Sequence, residues 1–77
     1  MKEIEYWKNN EYAMKAVIPF NKYWDEWEVF DRIAWKFLDI TDWSKQQILD
    51  LDSEVVWQGH IITEEEYNEI INNEKKD

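Results

Sequence analysis

The sequence has no cysteine, and it has only one glycine, one proline and one histidine in 77 residues. Without cysteine, neither a disulfide nor a thiolate zinc site can hold the fold together. Because Gly59 is the only glycine, a glycine-rich phosphate loop is excluded. His60 is the only histidine that could activate a nucleophile, and the chain offers it no cysteine and few serines. We therefore expect that the protein is not an enzyme and has no catalytic residue, no cofactor and no metal site.

Basic residues and long apolar runs are also scarce. Nine Lys and Arg against eighteen Asp and Glu give a formal net charge of -9, which repels nucleic acid and anionic membrane surfaces. No apolar run approaches the length of a membrane span, and the N-terminus lacks the apolar segment and cleavage site of a signal peptide. We therefore expect a soluble, intracellular protein that is not secreted and that contacts neither membrane nor nucleic acid directly.

Aromatic residues, in contrast, are abundant: Trp, Tyr and Phe together make up 17% of the chain. A chain of this length forms one domain and removes only about 60% of its surface from water on folding. Each aromatic ring can bury roughly 150 to 250 Å², so a small core can still stabilise the fold. The composition therefore predicts a single small domain over residues 1–77.

The first 20 residues show the alternation that is typical of strands. Apolar and charged residues alternate in Ile4–Tyr6 and again, less strictly, in Tyr12–Ile18, and Lys8-Asn9-Asn10 between them favours a turn. Because a two-stranded ribbon alone is marginally stable in water, it must pack on a helix. We expect an N-terminal β ribbon over residues 1–20, with Pro19 ending its second strand.

The segment Asn21–Leu38 has the longest series of apolar residues at helical spacing. At 3.6 residues per turn, one arc contains Tyr23, Trp27, Phe30, Ile33, Ala34, Phe37 and Leu38. Asn21 is a suitable N-cap, and Glu28 precedes Arg32 at the favourable i,i+4 spacing. We therefore expect a helix over residues 22–39 that packs this arc in the core.

A capping box predicts a second helix over residues 45–57. Ser44 and Gln47 have the spacing at which each side chain can bond to the backbone N–H of the other, and Gly59 is placed to end the helix. A hairpin is the alternative for this segment, because two short strand-favouring pieces flank Asp52-Ser53, which suits a turn.

A second capping box predicts a third helix over residues 64–73. Thr63 and Glu66 have the same spacing, and three glutamates in the first turn lie near the positive end of the helix dipole. From Asn72 onward we expect a frayed tail. The predicted fold class is α+β but mostly α, with three short helices in residues 21–77 and the N-terminal two-stranded ribbon.

The segment from Trp57 to Ile70, WQGHIITEEEYNEI, resembles the end of the XkdX-type proteins, which are small proteins encoded among phage and prophage tail genes. These chains have an aromatic-rich helix, a tight link, a second helix and an ending that contains Gly, Ile-Thr, Tyr and Ile. Residues 24–71 are similar to this order, although the spacing from Ile48 to Gly59 is longer by about one helical turn and residues 1–20 are an additional piece. The resemblance implies a phage-encoded, non-catalytic accessory protein in the cytoplasm of the host cell or on the virion.

The first predicted helix also has a second stripe, opposite its core arc, that consists of Trp24, Glu28, Asp31 and Trp35. Exposed tryptophans are typical of interface anchors, although in so short a chain these rings are equally candidates for the core. The lead hypothesis is docking of a protein partner, either a phage structural protein or a host enzyme with a basic groove. The predicted contact residues, on this stripe and beyond it, are Trp24, Glu28, Asp31, Trp35, Trp57, Glu64, Glu65 and Glu69.

The acidity of the chain supports an alternative function. Carboxylates on a rigid scaffold can mimic the phosphates of a nucleic acid, so the chain could inhibit a host nuclease, polymerase or anti-phage defence complex by occupying its basic groove. Ordinary solubility also accounts for a charge of this size. Association of identical copies into a homo-oligomer is a third interpretation, which a concentration-dependent mass would reveal.

Overall fold

The computed structural model describes residues 1–73, which form one antiparallel sheet and three helices. The strands are β1 (Glu3–Lys8), β2 (Tyr12–Ile18), β3 (Glu28–Asp31), β4 (Lys36–Phe37) and β5 (His60–Ile62). The helices are α1 (Phe20–Tyr23), α2 (Lys45–Gln58) and α3 (Glu64–Asn72), and a 3-10 turn spans Trp24–Glu26. The strand order across the sheet is β4-β3-β2-β1-β5, so both edges are short strands.

The two N-terminal strands predicted from the alternating pattern are confirmed, but they lie within a five-stranded sheet and do not form a separate two-stranded ribbon. β1 and β2 pair in antiparallel register along their whole lengths, and Pro19 directly follows β2. The buried side chain of Asn9 holds the turn between them, because its Oδ1 accepts hydrogen bonds from the backbone N–H groups of Glu11 and Tyr12. A short asparagine side chain that bonds nearby backbone is what makes this residue favour turns.

The helix predicted over residues 22–39 is wrong. This stretch forms part of α1, the 3-10 turn, β3, a tight turn and β4. Asn21 is not an N-cap, because it lies inside α1 and Pro19 occupies the N-cap position. Strands make up 30% of the described residues and helices 41%, so the fold is α+β but not mostly α.

Sheet pairing explains why the helical spacing of this stretch is misleading. Val29 and Phe30 are sequence neighbours, and both are buried, yet they pack in different core clusters, as strand neighbours do. β3 pairs with β2 along Tyr12–Lys15, and the turn after β3 places Trp35 at φ 60, a left-handed conformation that an α-helix does not contain. Pairing with β2 therefore determines the structure of this stretch, although its apolar residues have helical spacing.

The two longer helices, α2 and α3, are confirmed, each within one residue of its predicted end. The hairpin alternative for α2 is wrong. Ser44 and Gln47 form both hydrogen bonds of the predicted capping box. In α3, Thr63 Oγ1 accepts from the Glu66 N–H at 3.0 Å, but the Glu66 carboxylate binds Lys8 Nζ at 2.7 Å instead of closing the second box.

α3 ends at Asn72, one residue before the predicted end at residue 73, although fraying was expected from Asn72 onward. Asn72 is still helical, and the N–H of Asn73 donates to the Glu69 carbonyl at 2.9 Å. The rest of the predicted frayed tail, residues 74–77, lies outside the described residues.

The two longer helices cover opposite faces of the sheet. Met14 and Ala13 are neighbours on β2 and therefore point to opposite faces. Met14 packs with Ile48 and Val55 of α2, in what we call the α2-side cluster. Ala13 packs with Tyr67 of α3, in the α3-side cluster. Each face of the sheet therefore has its own small core.

The only glycine lies where α2 meets β5. A Cβ on Gly59 would lie 1.8 Å from the carbonyl oxygen of Lys8 and 2.8 Å from that of Val55. The backbone of Gly59 is extended, with φ -132 and ψ -153, so the requirement for glycine comes from close approach of two backbones and not from a left-handed conformation. Gly59 ends α2 as predicted and also allows β5 to reach β1.

Candidate protein-interaction surface

Trp57 is the candidate anchor of an interaction surface. Its side chain is 86% exposed near the end of α2. The residues that α2 buries are Ile48 and Val55, and at 3.6 residues per turn Trp57 lies about 200° around the helix from Val55, on the side away from the sheet. The helix already orders the backbone of Trp57, so binding of a partner has to order only the side chain.

Acidic and small polar side chains surround Trp57. A shallow groove beside the indole is lined by Ser53, Glu54 and Val56. Glu54 is exposed, as is Asp50 on the same outer side of α2 about two turns before Trp57. An aromatic ring bordered by carboxylates suits a partner that offers an apolar pocket together with Lys or Arg side chains.

Three more of the predicted contact residues lie on α3. Glu64, Glu65 and Glu69 are exposed, and no ion pair joins them to another residue within 1–73. Glu64 and Glu65 are in the first turn, where negative side chains stabilise a helix. At most about 25 Å of chain separates Glu64 from Trp57. Because α3 covers the face of the sheet opposite to α2, these carboxylates form a separate acidic patch.

The predicted stripe of two tryptophans and two acids is dispersed, because no helix runs through it. Trp24 lies on the 3-10 turn, half-buried against the α2-side cluster, with Lys45 Nζ 5.3 Å from its ring centroid. Trp35 lies between β3 and β4 and packs edge-to-face on Phe30, with ring centroids 5.3 Å apart. Both indoles contribute to core packing and do not share a face with each other.

Glu28 and Asp31, the acids of that stripe, form hydrogen bonds within the fold. Glu28 Oε1 accepts from the Tyr67 hydroxyl at 3.1 Å, and its other oxygen lies 4.0 Å from Lys15 Nζ. Burial raises the pKa of Tyr67, as does the charge of Glu28, so the phenol keeps its proton and donates it. Asp31 Oδ1 accepts from two backbone N–H groups and thereby closes the turn between β3 and β4.

A second concave site lies beside the 3-10 turn. This cleft, of about 350 Å³, is lined by Trp24, Asp25, Trp27, Leu38, Asp39, Ile40 and Thr41. The indole N–H of Trp27 donates to the Val17 carbonyl at 2.8 Å. The Thr41 side chain and backbone both bond to Asp39, which lowers the pKa of that carboxyl. Because these polar groups already have partners within the chain, the cleft is a weaker candidate than the surface around Trp57.

Ile61 is an exposed apolar residue that the sequence pattern does not predict as part of a site. It lies on β5 and its side chain is 52% exposed. The signal that could have identified it is the β-branched pair Ile61-Ile62, which favours a strand directly after Gly59. The local sequence does not indicate that this strand pairs with β1.

His60, the one histidine, is exposed on the same strand. Among residues 1–73, no three His, Asp or Glu side chains are grouped so that they could hold a metal ion. No helix in the described part of the chain has the length and apolar character that crossing a membrane requires.

Comparisons with protein-family models, with curated proteins and with solved structures find no match to this chain. The XkdX-type resemblance therefore stays a prediction. The candidate site is defined by the exposed indole of Trp57 and the carboxylates of α2, with the acidic patch of α3 as a second surface.

Proposed function

We propose that the protein is a non-catalytic binding module that docks a protein partner through Trp57 on the outer side of α2. The observation that supports this proposal is the 86% exposure of the Trp57 side chain on a regular helix. Burial of such a ring in a partner's pocket removes a large apolar surface from water, and truncation of tryptophan anchors at interfaces costs about 2 kcal/mol or more. The other large rings of the chain are more buried than this one.

The charge of the chain determines which partners fit. The net charge is -9, and Glu54, Glu64 and Glu65 are exposed. A negative surface attracts a basic partner and speeds its association, whereas it repels nucleic acid and identical copies of the chain. We therefore favour a basic protein, either a phage structural protein or a host enzyme with a basic groove. Phage origin, and a location in the host cytoplasm or on the virion, are part of the same proposal and depend on the XkdX-type resemblance.

Affinity capture from a bacterial lysate tests the proposal when three forms of the protein are compared at low and high salt. These are the wild type, Trp57→Ala and the neighbouring control Gln58→Ala, which is also exposed. We expect a basic protein that the wild type and Gln58→Ala retain and that Trp57→Ala loses. Circular dichroism checks that all three are folded. Retention of the same proteins by Trp57→Ala would contradict the proposal.

An acidic mimic of nucleic acid is the alternative function, and the exposed carboxylates of α3 favour it. Glu64, Glu65 and Glu69 point to solvent without ion pairs in the described chain. A mimic would bind the basic groove of a nuclease, polymerase or defence complex in competition with DNA, and its binding would weaken steeply with salt. Replacement of the three glutamates by Gln should then abolish the competition, whereas Asn68→Ala on the same helix should not. Binding that is insensitive to salt would contradict this alternative.

A further inference from the structure

The backbone hydrogen bonds of the first hairpin fix the direction of each peptide group in β1. In an antiparallel pair, residues that exchange backbone hydrogen bonds alternate with residues that do not. The Asn9 N–H donates to the Tyr12 carbonyl at 2.9 Å, so Asn9 directs its backbone N–H towards β2. By alternation along β1, Trp7 does the same. Tyr6 and Lys8 therefore direct their N–H and C=O groups to the other side, where β5 lies.

The same alternation continues into β5. Tyr6 pairs with Ile62, and Lys8 pairs with His60, so these two pairs carry the hydrogen bonds between β1 and β5. Ile61 lies between them and directs its backbone N–H and C=O away from the sheet. Because β5 is the last strand in the sheet order, no other described strand pairs with these two groups.

The edge around Ile61 is accessible and extended. The Ile61 side chain is 52% exposed, and His60 is exposed as well. The backbone is extended on both sides of the strand, with φ -132 and ψ -153 at Gly59 and φ -87 and ψ 162 at Thr63. An open edge presents unpaired N–H and C=O groups with which another strand can pair.

We propose that β5 accepts an extended, basic segment of the partner protein as a sixth strand, which bonds to the backbone N–H and C=O of Ile61. Charge complementarity selects this occupant. Glu64 and Glu65 are exposed in the first turn of α3, which follows β5 after Thr63, and Glu3 is exposed on the adjacent strand. A second copy of the chain would bring a further net charge of -9 to the same edge and is repelled. In such strand addition the main chain supplies affinity and the alternate side chains supply specificity.

This inference rests on the proposed function, because it states how the chain of the basic partner is held. The probe that tests it is a synthetic peptide of alternating Lys and Val residues, added to the isotope-labelled protein while amide hydrogen exchange is followed by NMR. At a peptide concentration that binds about nine tenths of the protein, we expect exchange of the Ile61 N–H to slow about tenfold, because only the free form exchanges. Two control peptides should leave the exchange unchanged: one with Glu in place of each Lys, and one with Pro in place of each Val.

Two variants distinguish binding through backbone hydrogen bonds from attraction by charge alone. Ile61→Pro removes the outward N–H without removing a hydrogen bond to β1, and proline is tolerated on sheet edges. We expect it to weaken binding of the Lys-Val peptide about tenfold, whereas Ile61→Thr, which keeps the N–H, should bind like the wild type. If Ile61→Pro does not fold, the exchange measurement on the wild-type protein still decides the question.

Three outcomes would overturn the inference. The first is exchange at Ile61 that the Lys-Val peptide does not change, and the second is equal slowing by the Lys-Pro peptide, which would show attraction by charge alone. The third is slowing that rises with protein concentration in the absence of peptide, which would make a second copy the occupant. Capture that depends on Trp57 together with unchanged exchange at Ile61 overturns this inference alone, whereas slowed exchange at Ile61 with no Trp57-dependent capture overturns only the proposed function.

Discussion

The hydroxyl of Tyr67 donates a hydrogen bond to the carboxylate of Glu28 at 3.1 Å, and so joins the C-terminal helix to the middle of the chain. Tyr67 is 3% exposed, and its ring centroid lies 4.7 Å from that of Tyr6. α3 is therefore attached both to β3 and to β1. Glu28, which the sequence pattern places among the contacts for a partner, has a role in holding this helix on the sheet.

Tyr67→Phe should destabilise the protein by about 1 kcal/mol. The substitution keeps the buried ring but removes the donor, and a hydrogen bond to a partly exposed charged group contributes about that much. Glu28→Gln is the control, because its amide oxygen still accepts from the phenol. Urea denaturation followed by tryptophan fluorescence measures both. Equal stability of Tyr67→Phe and the wild type would show that the hydrogen bond contributes nothing.

Gly59→Ala should destabilise the protein by about 3 kcal/mol or more, through a clash of its Cβ with backbone atoms that cannot move aside. The Lys8 carbonyl oxygen would lie 1.8 Å from that Cβ, so β5 would have to separate from β1. Domains of this length have a free energy of unfolding of about 4 to 12 kcal/mol, so the variant would lose a large part of its stability. Thermal unfolding of Gly59→Ala beside Gln58→Ala checks this, and similar melting temperatures would rule out the close approach.

Two tryptophans should respond in opposite ways to truncation. Trp27 is 6% exposed and its indole N–H donates to the Val17 carbonyl, so Trp27→Ala should cost about 3 to 5 kcal/mol. Trp57→Ala should change the free energy of unfolding by less than about 0.5 kcal/mol, because the side chain is in solvent. Chemical denaturation of both variants measures the contrast. A large loss in Trp57→Ala would place that ring in the core and remove the basis of the proposed function.

Asp52→Asn should stabilise the protein at pH 7 and have little effect at pH 3. Burial raises the pKa of Asp52, and the charge of Glu5 raises it further. Because the folded state favours the protonated form, the favourable contribution of Asp52 is present below its unfolded pKa. It is lost as pH rises through the interval up to the higher folded pKa.

Thermal unfolding at the two pH values measures this effect, with the exposed Glu54→Gln on the same helix as the control. A variant that is less stable than the wild type at pH 7 would mean that ionised Asp52 has a favourable partner in the fold.

The elements that the sequence predicts correctly have their signals within a few residues. Ser44 and Gln47 define the start of α2 by bonding to each other, and Asn9 closes the first turn by bonding to its own neighbours. β3 could not be predicted in this way, because Val29 and Phe30 fit a helix locally and become strand residues through pairing with β2.

The candidate site also has residues whose positions the local sequence predicts and residues whose positions it does not. Trp57 follows from its place on a predictable helix, where the buried positions leave it on the outer side. Ile61 does not, because its outward backbone groups depend on the pairing of β5 with β1 at the other end of the chain. Trp35 likewise acquires its position from a left-handed turn that no local pattern indicates.

The pairing of Tyr6 with Ile62 also has a consequence for how the chain folds during synthesis. The first three strands are neighbours in sequence and can assemble early, but β5, which completes the sheet on the other side of β1, is translated only after α2. The α3-side cluster includes Ile62 of β5 and Tyr67 of α3, so this face of the hairpin is covered only after β5 and α3 have been made. Such long-range closure slows folding and leaves apolar surface open to aggregation. The hairpin is therefore synthesised well before one of its faces can be covered.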